Sequence, residues 1–251
     1  MKTLLTRFAC LLGLAGTVTV FASSTASAQS LRGGEIRFPA IASGDEMTSQ
    51  NDLWVMDVYF KPMRLIPVEL TDPKTGQKKL EYVWYIVYRG FNHKLDQKGN
   101  VNAPVNDLDP PVAPQQFIPE FTLVATDNGR NEIFPDQVIP EALAAINKRE
   151  KGNYKSAVSV VGPIPEATIP GGPDEVAIEG VAMWRGINPE ADRYTVFMTG
   201  FSNSIRKVEG PDGSPIIQTK TIMQKYIRRG DRFDQREREI LLDGDTQWIY
   251  R

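Results

Sequence analysis

A chain with a single histidine and a single cysteine has few routes to covalent or metal chemistry, and neither residue has promising neighbours. His93 stands beside Phe91, Asn92 and Lys94, with no carboxylate next to it in sequence. A Ser-His-Asp nucleophile or a multi-histidine zinc site is therefore not expected, and His93 reads as a solvated loop residue. Cys10 falls within an apolar N-terminal run that export would remove, and Arg7 and Phe8 precede Ala9 where the small-residue box of a lipoprotein signal should lie. No thiolate then remains.

Carboxylates are the other candidates. With 31 Asp and Glu residues a converging pair is easy to assemble, so a secreted hydrolase using two carboxylates stands as the alternative function. Asp127, Asn128, Asn131 and Glu132 offer calcium-type oxygens, as do Asn106, Asp107 and Asp109, and Asp243 with Asp245. None of these sets has EF-hand spacing, and ordinary turns account for all three. Lys225, Arg228, Arg229, Arg232, Arg236 and Arg238 form a basic run, but Asp231, Asp234, Glu237 and Glu239 interrupt it and largely cancel its field. A salt-bridged loop is expected there rather than an anion or glycan site. Arg229-Gly230-Asp231 is too short a match to signal adhesion, and Gly171-Gly172 lacks the Lys and helix of a phosphate loop. No catalytic, cofactor or metal residue is assigned. Structural roles fall to Trp54, Trp84, Trp184, Pro189, Tyr194 and Trp248.

The elements that must position these groups are mostly strands. Trp54, Met56, Val58 and Phe60 alternate with polar neighbours, and after Pro62 the pattern resumes at Ile66, Val68 and Leu70. A turn at 71–76 leads to a return strand with Leu80, Tyr82, Trp84, Ile86 and Tyr88 on one face and Val83, Tyr85 and Val87 on the other. Both faces being apolar, it should be central. Residues 91–116 form a Pro- and Asn-rich loop of unusual length, either functional or loose. Strands follow at 117–126 and 157–161. Between them, Pro140, Glu141, Leu143 and Ile146, followed by Lys148, Arg149 and Lys151, predict one short helix whose charges suit its dipole. Further strands are expected at 175–185, 194–201, 215–226, 237–242 and 246–250.

Within 175–185, Val176, Ile178, Gly180, Ala182 and Trp184 share one face, a turn follows, and Tyr194, Val196 and Met198 open the next strand. Ile187, Pro189, Tyr194 and Val196 resemble the strand E, corner and strand F of fibronectin type III and immunoglobulin-like domains, which implies a tyrosine corner bonded to backbone just upstream. The Gly-x-Ala-x-Trp strand ending at Trp184, Arg228 to Asp231 and Trp248 to Arg251 are also similar to a group of secreted bacterial proteins, a resemblance that implies no particular activity.

Lys2 and Arg7, the apolar run from Phe8 to Ala22, and Ala26-Ser27-Ala28 make a signal peptide cleaved after Ala28. The 29 basic residues fall to 27 with its loss, against 31 acidic ones, a balance of −4 that argues against nucleic acid. The expected plan is a signal peptide at 1–28, a flexible arm at 29–52, a first β-rich half at 53–161 with its helix near 140–151, a Pro/Gly connector at 162–173 and a second β-rich half at 174–251. The fold class is all-β, an immunoglobulin-like β-sandwich, one large or two small, with one short helix. Its function is expected to be non-catalytic: binding or a structural role at the cell envelope, toward a protein or glycan. The chain is expected to take no cofactor and not to span a membrane.

Overall fold

The computed structural model describes residues 34–50, 52–72, 75–95, 115–127, 129–188, 191–228 and 240–251. The signal peptide, Pro189, most of the 91–116 loop and the Arg229-Gly230-Asp231 triplet lie outside the described residues.

Four antiparallel strands open the fold around one long hub. They are β1 (Ile36–Phe38), β2 (Met56–Phe60), β3 (Arg64–Thr71) and the 15-residue β4 (Lys78–Asn92), with the short helix α1 (Gly44–Ser49) between β1 and β2. β4 pairs β3 along Lys78–Tyr85 and β2 along Tyr88–Asn92, and β1 adds outside β2. After the two-residue β5 (Gln116–Phe117) come the hairpin β6 (Glu120–Asp127) and β7 (Arg130–Pro135), turned at Gly129 with φ +76°. Helix α2 (Pro140–Glu150) follows. Pro140 opens it, Glu141 lies in the first turn, Lys148 and Arg149 lie in the last, and Lys151 closes it in the left-handed region. β8 (Gly162–Pro163) pairs β5.

The remaining strands are β9 (Ala177–Trp184), β10 (Arg193–Thr199), β11 (Ile205–Glu209), the 14-residue β12 (Pro215–Arg228), β13 (Ile240–Leu242) and β14 (Gln247–Tyr250). β9 pairs the free side of β4, completing a five-stranded sheet, so β4 is central as its two apolar faces require. A second, seven-stranded sheet runs β11-β12-β10-β6-β7, with β13 and β14 also on β12.

The sheets pack face to face. Met56, Val58, Trp84, Ile86, Tyr88 and Trp184 from the first meet Phe121, Leu123, Tyr194, Val196, Met198 and Ile222 from the second in one core. The outward row Val83, Tyr85 and Val87 is covered by Ala142 and Ile146 of α2. This is an all-β sandwich carrying two helices, one more than expected.

Three expectations need correction. The arm at 29–52 is no free arm where it is described: β1 pairs β2 residue for residue, Phe38 joins the core, and Ser43 caps α1 in a capping box with Glu46. Residues 157–160 form a turn rather than a strand, because Ser156 and Ser159 bond each other's backbone and compete with a ladder. The sheets also cut across the expected halves. β6 and β7 pair with β10 from beyond residue 174, while β9 pairs β4, so the core belongs to both.

The chain crosses between sheets after Trp184. Gly186, at φ +80°, helps turn it, Ile187 and Ala191 are buried, and the Tyr194 hydroxyl donates to the Ala191 carbonyl at 2.6 Å.

Candidate functional site

α2 covers only part of the outer face of the first sheet. Beyond it, the outward positions of four strands line up by register, Arg37 opposite Tyr59, Tyr59 opposite Arg89 and Arg89 opposite Glu179, with Asp57 opposite Phe91 one row further on. Strand alternation puts all of these on one face, since their neighbours Phe38, Val58 and Tyr88 point into the core.

In that row the Tyr59 ring lies between two guanidiniums, 5.8 Å from Arg37 and 5.6 Å from Arg89. Phe91 meets Tyr59 edge-on at 5.3 Å and carries Arg89 over its own face at 5.7 Å. Glu35 holds Arg89 through both Nε, at 3.0 Å, and Nη2. That hydrogen bonding raises the Arg89 pKa further, and burial raises that of Tyr59. Arg37 remains exposed and reaches Asp57 only at 3.4 Å.

His93 overturns the expectation of a solvated loop residue, because it is only 6% exposed. Its Nδ1 lies 2.5 Å from Asp57 Oδ2 and its Nε2 lies 2.6 Å from Glu175 Oε1, while the ring stacks on Phe91 at 5.8 Å. Asp57 also accepts the Ala40 N–H at 2.6 Å, and Glu175 accepts the Gly171 N–H at 3.1 Å. The Gly171 N–H and then His93 hold the Glu175 carboxyl below its ordinary range. A neutral imidazole has one N–H for these two carboxylates, whereas the imidazolium has two. His93 thus ties the segment after β1, strand β2 and the 171–175 turn to the end of β4.

Both ring nitrogens face carboxylates. Asp57 and Glu175 sit on opposite edges of the ring and do not converge with it on one point, and among the described residues there is no group of three His, Cys, Asp or Glu side chains able to hold a metal. The face presents an exposed arginine, a tyrosine and a second arginine across adjacent strands.

Sequence neighbours concealed this site. Asp57 and Glu175 are 36 and 82 residues from His93, so only the pairing of β2 with β4 and the turn before β9 unite them. The available signal was Asp57 and Tyr59 alternating with Met56, Val58 and Phe60, which marks a polar face behind a core strand.

The residues assigned structural roles lie elsewhere. Trp84 and Trp184 are buried and face each other across β4 and β9. Trp54 is half-buried and donates to Gln115, while Trp248 packs on Phe38 at 5.3 Å and donates to the Pro39 carbonyl at 3.1 Å. Among the oxygen-bearing residues of the turns, Asn131 receives the Thr126 hydroxyl at 2.8 Å.

Two further carboxylates, Glu46 and Glu150, act as fasteners. Lys220, 3% exposed, donates to Glu46 at 2.7 and 2.9 Å and to the Ile41 carbonyl at 2.5 Å, with Ser204 and Tyr250 also on Glu46. Burial pushes the Glu46 carboxyl up, but the bonds from Lys220, Tyr250 and Ser43 and the charge of Lys220 outweigh it and hold the group at about 2. Glu150, at the end of α2, receives Lys61 at 2.8 Å, Arg64 at 2.9 Å and the Tyr85 hydroxyl at 2.6 Å.

No family model, curated protein or solved structure matches this chain.

Proposed function

We propose that this is an exported, non-catalytic β-sandwich protein that binds a protein or glycan at the cell envelope through the outer face of its first sheet. The observation that carries this reading is the Arg37, Tyr59, Arg89 and Phe91 row, a cation–aromatic surface beside a histidine whose two nitrogens are already bonded. Arginine and tyrosine are enriched where binding energy concentrates, because both present large, rigid, partly apolar area with directed donors. Export rests on the basic, apolar and small-residue segments of residues 1–28. Among the described residues no helix is long and apolar enough to cross a membrane.

The test pairs N-terminal sequencing of the mature protein, expected to begin at Gln29, with affinity capture from envelope extracts. A partner retained by the native protein and lost from Arg37→Ala and Tyr59→Ala variants supports the reading. Recovery of the protein alone, or equal capture by the variants, counts against it. Turnover of glycans or peptides would favour the carboxylate hydrolase instead.

A further inference from the structure

We propose that a groove on a different side of the molecule, between the β3–β4 hairpin and β13, binds the alkyl chain of a fatty acid anion, with Arg149 holding its carboxylate. The groove encloses about 470 Å³, within the roughly 300–1,000 Å³ range of small-molecule sites. Met63, Leu65, Pro67, Tyr82, Ile240 and Leu242 line it. Register explains why it exists: Leu65 pairs Trp84 and Pro67 pairs Tyr82, so the face that forms the core at Trp84 continues outward along the hairpin. Leu80 further along is 61% exposed, and Leu241 and Leu242 on the opposite wall are 36% and 42% exposed. Apolar surface left open in this way marks an interaction site.

The lining selects the ligand. It is mostly aliphatic, with few groups to read the substituents of a sugar or a ring, which suits a non-directional alkyl chain. Among the described residues no acidic side chain lines it, and two arginines do. Arg64 is committed to Glu150 at 2.9 Å. Arg149 donates Nη1 to the Leu65 carbonyl at 2.8 Å and makes no salt bridge among the described residues, so its guanidinium stays available to an anion beside an apolar slot.

Calorimetric titration of the full-length mature protein with decanoate, dodecanoate and tetradecanoate, each below its micelle concentration, tests this. Affinity is expected to rise about fourfold per added methylene, the effect of burying one CH₂. Dodecanoate should bind about tenfold tighter than dodecanol, the contribution of a charge-assisted contact. Arg149→Gln should erase that difference and leave dodecanol unchanged, while Leu242→Lys, at a partly exposed position, should weaken both. Absence of saturable binding, affinity independent of chain length, equal binding of acid and alcohol, or no effect of Leu242→Lys would overturn the proposal.

Discussion

Asp136 has one carboxyl oxygen, Oδ2, buried without a hydrogen-bond partner, while Oδ1 accepts the Met183 N–H at 2.7 Å. Burial raises this carboxyl to about 7, against the lowering effect of the Met183 and Gln137 N–H groups. The folded state therefore holds a proton that the unfolded chain gives up near pH 4, and this contribution is complete below that point and lost as pH rises through 7. Asp136→Asn keeps the acceptor for Met183 and removes the charge. Denaturant titrations at pH 4 and 8 should show the native protein losing about 2–4 kcal/mol between them through this group, and the variant losing correspondingly less. At His93 the expectation concerns packing and charge: His93→Ala leaves the buried Asp57 without its imidazole partner and should cost about 3 kcal/mol, measured by the same titrations. A variant as stable as the parent would show that the two carboxylates do not depend on the ring. Neither site is visible from chain neighbours, since Asp136 is an unremarkable polar residue before a helix and His93 has no acid beside it.

Between residue and fold stand the elements, and α1 shows how a short one is held. Its six residues bury nothing of their own, and a helix this short has little intrinsic stability. It is fixed by Ser43 at its start and by Glu46 on Lys220 of β12. Glu46 stays ionised down to about pH 2, so its contribution is present above pH 4.5 and fades as pH falls toward 2. Glu46→Gln should flatten that acid limb and, by stranding a buried ammonium, cost about 3–5 kcal/mol at neutral pH in thermal or chemical unfolding. β4, by contrast, was legible as far as Tyr88, because a strand buried on both faces must be apolar at both parities, whereas its last residues Phe91 and Asn92 read as the start of a loop. α2 was legible too, through Pro140 and its charge order. β1 and α1 were not, since three strand residues and one helical turn are too few to show a period.

At the scale of the whole molecule the two sheets share one core drawn from both ends of the chain. Residues 29–161 or 174–251 expressed alone should fail to fold, as judged by near-ultraviolet circular dichroism and proteolysis, because each would lack strands that the other supplies. A cooperative, protease-resistant fragment from either half would show separate domains. Alternation determined that this chain is layered β-structure with a central strand at β4, since burial of one face in two is a local property of side chains, and Pro140 with the charge order marked the helix at α2. Which strands meet was decided only by tertiary structure. Pairing brings Asp57, His93 and Glu175 together from three separate stretches, places Arg37, Tyr59 and Arg89 in one row and sets β9 against β4. Register and sheet order depend on many weak contacts at once, and these are not written in any single segment.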